Sequence, residues 1–251
     1  MTTNGKAIVV QDLHKEFALS HSGANSLKTR MLWFRRHDIE HLKVLRGISF
    51  DVGRGECVAV IGRNGAGKST LLGLLARVYK PTSGAIAVNG RLAPLLELGA
   101  GFHPDLTGLE NIFFNGVILG LTRKEIAART DAIIEFAELR QHIDSPVRTY
   151  SSGMLARLGF AVAVHVDAEI LLVDEVLAVG DMEFERKCFA KIEEFKAAGG
   201  TIFFVSHNMV SVKRVADRCI WVRDGLIEAE GCPETIIGRY EAASGGPQQA
   251  L

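Results

Sequence analysis

The sequence predicts an α/β fold in which a mostly parallel sheet, with an antiparallel β part beside it, carries an inserted helical subdomain. Three observations support that reading. GRNGAGKST (62–70) has the G-x-x-x-x-G-K-[ST] spacing of a phosphate-binding loop and lies between an apolar, β-branched run, CVAVI (57–61), and a helical leucine pattern that Pro81 stops. Two further apolar runs, EILLVDE (169–175) and TIFFVSHN (201–208), end in polar residues, as buried strands do when they deliver side chains to a ligand at their carboxyl ends. Between about residues 104 and 166 the chain is amphipathic at helical spacing and shows no strand pattern.

Taken in order, AIVVQDL (7–13) is an opening strand that leads to Phe17, and residues 44–52 form a second sheet-like segment. Between them SLKTRMLWFRRHDIEHLK (26–43) is a basic, aromatic insertion with Leu27, Met31 and Phe34 on one helical face. After the phosphate-loop helix, TSGAIAVNGRLAPLLEL reads as two short strands joined by an Asn89-Gly90 turn. GLENIFFNGVILGL and TRKEIAARTDAIIEFAEL are helices, the second opened by a Thr122/Glu125 capping box, and SSGMLARLGFAVAVHV (151–166) is a third. DMEFERKCFAKIEEFKAAGG is a helix stopped by glycines, and RCIWVRDGLIEAEG is a hairpin about Asp224-Gly225. The end, SGGPQQAL, is small, polar and expected to fray.

At 251 residues and 47% hydrophobic content the chain can bury a full core, and it reads as a single domain over 1–251 containing the 104–166 subdomain. Its 29 basic and 29 acidic residues cancel, which argues against nucleic acid as a bulk partner. No basic n-region with an apolar h-region opens the chain, and the longest apolar region, 158–173, is broken by His165, Asp167 and Glu169. The expected location is cytoplasmic, at the membrane only through a partner. Cys57, Cys188, Cys219 and Cys232 form no C-x-x-C pair and read as buried thiols.

In the phosphate loop, Gly62, Gly65 and Gly67 let successive N–H groups of the Gly62–Asn64–Gly65–Ala66–Gly67 turn face phosphate oxygens, at the positive end of the helix that Lys68, Ser69 and Thr70 open. Lys68 reaches the β- and γ-phosphates and Ser69 holds Mg²⁺. After ILLV, Asp174 holds Mg²⁺ and Glu175 orients the attacking water, while His207, after IFFVS, is placed toward the γ-phosphate. His37 and His41 stand at i, i+4 spacing without a third ligand and read as a solvated face.

The order phosphate loop, helical insertion, serine-glycine motif, ILLVDE and SH resembles the ATP-binding subunits of ABC transporters over nearly the whole chain. The resemblance implies a RecA-like P-loop NTPase core using ATP and Mg²⁺. It also implies that YSSGM matches the signature loop usually spelled LSGGQ, so that Ser151, Ser152 and Gly153 bind the γ-phosphate held by the other subunit of a homodimer. LAVGD resembles the D-loop, ending at Asp181, and Phe17 matches the aromatic that stacks on adenine. Two departures narrow the family: the usual glutamine before the helical subdomain is absent, with Glu97 nearest to its place or Leu98 in a stricter register, and the 26–43 insertion is long.

Together with YSSGM these features resemble the subfamily exporting O-antigen, capsular or teichoic-acid polysaccharides. That likeness implies an integral-membrane partner subunit and a lipid-linked polysaccharide as the cargo of the complex. The chain is expected to lack the C-terminal carbohydrate-binding domain that some members append. Trp33 and Phe34 beside Arg30, Arg35 and Arg36 suit either packing on the chain's own sheet or a membrane, partner or glycan-phosphate contact. An ABC ATPase for a lipid or drug shares every catalytic residue. A soluble ABC-type ATPase acting on DNA or ribosomes would need a coiled-coil insert or a second cassette, and a GTPase would need an N-K-x-D segment.

Overall fold

The computed structural model describes residues 5–19, 40–96, 99, 101–174 and 180–245. Two sheets form its frame. Strands β1 (Lys6–Leu19), β2 (Glu40–Gly53) and β4 (Ser83–Val88) make a three-stranded antiparallel sheet in the order β2-β1-β4. Strands β3 (Cys57–Ile61), β5 (Leu92–Leu95), β6 (Ile170–Asp174), β7 (Thr201–Val205), β8 (Arg218–Arg223) and β9 (Leu226–Gly231) make a second sheet ordered β5-β6-β7-β3-β8-β9. Its pairings are parallel except for the β8–β9 hairpin at one edge.

The continuous apolar runs form strands because both faces of the second sheet are covered. Along β3, Val58 and Val60 join a core shared with the antiparallel sheet and helix α1 (Lys68–Leu75), whereas Cys57, Ala59 and Ile61 join the core on the opposite face. The same period of two places Phe203 and Val205 of β7 on the first side, with Ile202 and Phe204 on the second. Phe203 is fully buried and stacks on Phe50, ring centroids 5.4 Å apart, joining the two sheets; truncating it to alanine would cost about 3–5 kcal/mol. Arg218 also joins the sheets, donating to Glu56 Oε1 (2.7 Å) and to the carbonyl of Asp51.

Helices α2 (Gly108–Ile118), α3 (Arg123–Ala137) and α4 (Ser152–Val164), with a 3-10 turn at Val147–Thr149, enclose a third core around Ile112, Ile126, Ile134 and Leu158. Both α2 and α3 begin with reciprocal capping boxes, Thr107/Glu110 and Thr122/Glu125. Helices α5 (Met182–Ala197), α6 (Met209–Val215) and α7 (Pro233–Ala243) supply the cover of the second face. Among the described residues no helix is long and apolar enough to cross a membrane.

Three local expectations change. Asn89-Gly90 joins two strands but not a hairpin: Asn89 donates through its N–H to Ala7 O (2.8 Å) and through Nδ2 to Lys6 O (3.0 Å), closing β4 against β1. The chain then crosses to the other sheet, where β5 pairs with β6. The tail of the 26–43 insertion, Glu40 to Lys43, is strand rather than helix, with Leu42 opposite Phe17; the rest of it, including Trp33, Phe34 and His37, lies outside the described residues. Cys57, Cys188 and Cys219 are buried, their thiols pushed up to about 12 chiefly by desolvation, but Cys232 is exposed at the N-cap of α7.

Candidate functional site

The register of the parallel sheet builds the site. Val60 of β3 pairs with Val205 of β7, and Val205 pairs with Asp174 of β6, so three neighbouring strands end at one level. In sequence, the phosphate loop comes directly after β3, Glu175 directly after β6, and His207 two residues beyond the end of β7. Adjacent strands stand about 4.8 Å apart, which spreads the three groups across roughly 10 Å.

Glycine is required at both ends of the loop. Gly62 has φ +153°, and a Cβ there would come within 2.2 Å of Val222 O; at Gly67, φ +102° and the N-cap of α1, a Cβ would meet Leu45 Cδ2 and Val44 O at 2.7 and 3.0 Å. The loop closes on itself: Ala66 N–H donates to Arg63 O (3.2 Å), and Lys68 Nζ donates to Gly62 O (2.8 Å) and Arg63 O (3.1 Å). Lys68 is only 6% exposed, so a full positive charge is held inside a ring of backbone groups at a helix N-terminus, an arrangement that attracts anions. Asn64, Gly65 and Ser69 are exposed, and Thr70 is half-buried.

Ser69 and Asp174 border one cavity of about 400 Å³, walled mainly by Val78, Tyr79, Leu96, Phe102, Ile118 and Val162. His207 is exposed in a tight turn. Ser206 before it donates its N–H to Val60 O (3.2 Å), and Asn208 after it caps α6 through Oδ1, accepting from Val210 and Ser211 N–H.

Ser151 is the N-cap of α4, its Oγ accepting from Met154 N–H (3.2 Å), so Ser151 and Ser152 are exposed at a helix start with Gly153 half-buried behind them. Tyr150 is anchored below by its hydroxyl, which donates to His142 O (2.6 Å). The cavity meets α4 at Gly159, Val162 and Ala163, in its second half, and the serines at the start of that helix do not line it. Asp181 is the N-cap of α5, accepting from Glu183 and Phe184 N–H through Oδ1 while Oδ2 accepts from Arg157 of α4 at 2.6 Å. The Phe184 N–H, with Arg157 beside it, holds the Asp181 carboxyl below its usual range. Arg157 also pairs with Glu138 (2.7 Å) and lies 4.9 Å from the Phe184 ring. Glu97, Leu98, Glu175, Val176 and residues 177–179 of the LAVGD segment lie outside the described residues.

Phe17 lies on β1 with its ring against Tyr79, centroids 5.5 Å apart and planes at 85°, and with the Lys15 ammonium 4.7 Å from its centroid. Neither Tyr79, Lys15 nor Arg157 stands out in the sequence. An aromatic just past a helix end and an arginine two turns into the serine-opened helix are the only local signals.

A phosphate loop, an acidic strand end and a polar turn on one edge of a parallel sheet, beside a helical block, define a nucleotide-hydrolysing cassette. A family model described as ABC transporter matches residues 45–178, and the chain belongs to that family: it is an ATPase. Among curated relatives it is 50% identical over 234 residues to "O-antigen export system ATP-binding protein RfbB" of Klebsiella pneumoniae, covering 91% of this chain and 95% of that one. It is 47% identical to a protein of the same name from Myxococcus xanthus (94% and 56% covered) and 43% identical to "Teichoic acids export ATP-binding protein TagH" of Enterococcus faecalis (92% and 51%). The fold matches a solved ATP-binding subunit of an ABC transporter at TM-score 0.75 and 24% identity, over 93% of each chain. It also matches a dimeric ATP-binding cassette in a post-hydrolysis state at TM-score 0.71 and 20% identity, over 90% of this chain and 98% of that one.

Proposed function

We propose that this chain is the ATP-hydrolysing subunit of a transporter that exports a lipid-linked polysaccharide of the O-antigen, capsular or teichoic-acid type. The names of its relatives support the cargo. The observation that supports the chemistry is the common level at which β3, β6 and β7 end, with Asp174 closing β6 and the phosphate loop and His207 following β3 and β7 in sequence. Lys68 and the N–H groups of residues 62–70 hold the β- and γ-phosphates. Ser69 and Asp174, a hydroxyl and a carboxylate bordering one cavity, are hard oxygen donors that fit Mg²⁺ alongside phosphate oxygens, and the ion would supply charge neutralisation on the phosphates. Glu175 orients and polarises the attacking water, His207 keeps it in line, Phe17 stacks on the base, and Glu97 stands in the place of the family glutamine.

Two copies complete the sites, with Ser151, Ser152 and Gly153 at the start of α4 offering hydroxyls and free N–H groups to a partner's phosphate. Helices between 104 and 166 act as a subdomain, and the cavity at its junction with α1, flanked by exposed Val117 and Ile118, receives a cytosolic segment of the integral-membrane subunit. That docking keeps the chain peripheral on the cytoplasmic face.

The test is Glu175→Gln, which keeps shape and removes charge. ATP hydrolysis should fall by roughly 10²- to 10⁴-fold while ATP still binds and an ATP-bound dimer accumulates; near-normal turnover sinks the assignment. Mixing Lys68→Ala with Ser151→Arg, each inactive alone, should restore part of the activity through heterodimers with one intact site. A fully active monomer of the wild-type chain would refute completion in trans.

A further inference from the structure

We propose that Tyr79 is a positioning residue for the nucleobase, setting the Phe17 ring on which the base stacks; the inference rests on Phe17 being that stacking residue. The segment after α1 is built to reach that ring. Arg77 adopts a left-handed conformation (φ +62°), and the chain folds back so that Val78 and Tyr79 N–H both donate to Gly73 O, at 2.8 and 3.1 Å. Tyr79 thereby covers Gly73 so closely that a Cβ at 73 would meet its ring at 2.7 Å.

Beyond Tyr79 the same segment is stitched to the three residues of β1 that precede Phe17. Lys15 Nζ donates to Lys80 O (2.9 Å), Glu16 N–H donates to Thr82 Oγ1 (2.9 Å), and Thr82 N–H donates to His14 O (2.9 Å). The Lys15 ammonium sits 4.7 Å from the Phe17 centroid and 5.8 Å from that of Tyr79, so one cation bridges two rings held at 85° to each other. Edge-to-face and cation contacts of this kind fix ring orientation as well as adding energy.

Two features separate this from ordinary core packing. Tyr79 is 42% exposed and Phe17 is only half-buried, so the pair is held rigid at the surface, where hydrophobic burial alone does not demand it. Its place is also adjacent to the phosphates: Leu42, opposite Phe17, is two residues from Val44, whose carbonyl lies against Gly67 of the phosphate loop. A flat ring held at that distance from the loop presents its surface to the base end of a nucleotide while Lys68 holds the other end.

The experiment compares dissociation constants of the full chain for MgATP and for Mg-tripolyphosphate, which carries the phosphates without the base. Tyr79→Leu, which keeps an apolar cover on Gly73, should weaken MgATP about 3- to 10-fold, raise KM more than it lowers kcat, and leave tripolyphosphate binding unchanged. Tyr79→Phe should bind both as wild type does. Gly73→Ala suits the helix but drives the Tyr79 ring off its seat, and it should reproduce Tyr79→Leu without lowering the melting temperature. Equal weakening of both ligands by Tyr79→Leu would reduce the residue to a structural support of α1 and overturn the proposal. So would unchanged MgATP binding in Tyr79→Leu when Phe17→Ala weakens it. If Phe17→Ala itself leaves MgATP binding intact, the stacking role of Phe17 fails, and the role of Tyr79 falls with it.

Discussion

Asp181 shows how one carboxylate serves two structures at once. Its Oδ1 closes the first turn of α5 and its Oδ2 ties that turn to Arg157 on α4. The helix beginning at DMEFERK was legible in the sequence, but the tie to Arg157 was not, because that partner lies 24 residues away on another helix. The roles separate on substitution. Asp181→Asn retains a capping oxygen and should melt within about 2 °C of wild type, whereas Asp181→Ala loses the cap and should melt about 2–4 °C lower. The Asp181 carboxyl is held below its usual value by the Phe184 N–H and Arg157, so its folded-state advantage is present above the unfolded pKa near 3.8 and is lost only as pH falls through the lower folded value. Wild type should therefore keep its margin over Asp181→Ala from pH 5 to pH 8. The thiols make a second residue-scale contrast that composition could not draw. Cys57, Cys188 and Cys219 are buried with pKa values near 12, and only Cys232 is exposed. A thiol reagent at pH 8 should modify one cysteine in the native chain and all four after denaturation; native labelling at Cys188 would mean that α5 opens.

At the scale of elements, the legible features were those that local pattern dictates. The apolar runs of β3, β6 and β7 are strands because alternate residues feed two separate cores, and the Asp224-Gly225 turn is a true hairpin, with Arg223 opposite Leu226 and both turn residues at positive φ. Asn89-Gly90 carries the same local signal, yet β4 and β5 part into different sheets, since a turn dipeptide specifies a reversal and not the strand that receives the chain. The cap of α3 was legible through Thr122 and Glu125, and the structure adds its pH dependence. Hydrogen bonds from the Thr122 hydroxyl and N–H lower the Glu125 pKa from 4.5, so the folded state gains from this carboxylate above pH 4.5 and loses that gain as pH falls through the depressed value. Glu125→Ala should accordingly melt below wild type at pH 7, and the gap should narrow progressively below pH 4.5. A gap of constant size across that range would mean that the charge plays no part in the cap. Thr122→Ala, which removes the acceptor for Glu125 N–H, should lower stability by about 1 kcal/mol.

For the whole molecule, the helical block and the α/β core were each visible along the chain, but the cavity between them was not. It is assembled from α1, β5, residues Gly99, Gly101 and Phe102, the end of α2 and the second half of α4, segments that no local spacing relates. Its position couples two surfaces. Ser69 and Asp174 lie on one wall, and Ile118 and Leu119 at the end of α2 lie on another, so an occupant of the cavity touches the helical block within reach of the proposed Mg²⁺ ligands. Its apolar border is exposed: Ile118 and Val78, which both line the cavity, are 62 and 66% exposed, and Phe114 and Val117 add exposed apolar surface on the helix of Ile118. An apolar rim around an apolar-walled cavity is the complement of a short amphipathic segment, which the membrane subunit would supply from its cytosolic side. Ile118→Glu places a charge on that rim without touching a buried core residue, so its effect on the fold should stay within about 0.5 kcal/mol. The isolated variant should hydrolyse ATP within a few-fold of wild type, fail to co-purify with the membrane subunit and export little glycan. Val210→Glu, an equally exposed apolar position on α6 away from the cavity, serves as the control and should retain co-purification. Wild-type recovery of the membrane subunit with Ile118→Glu would move the docking surface off the end of α2.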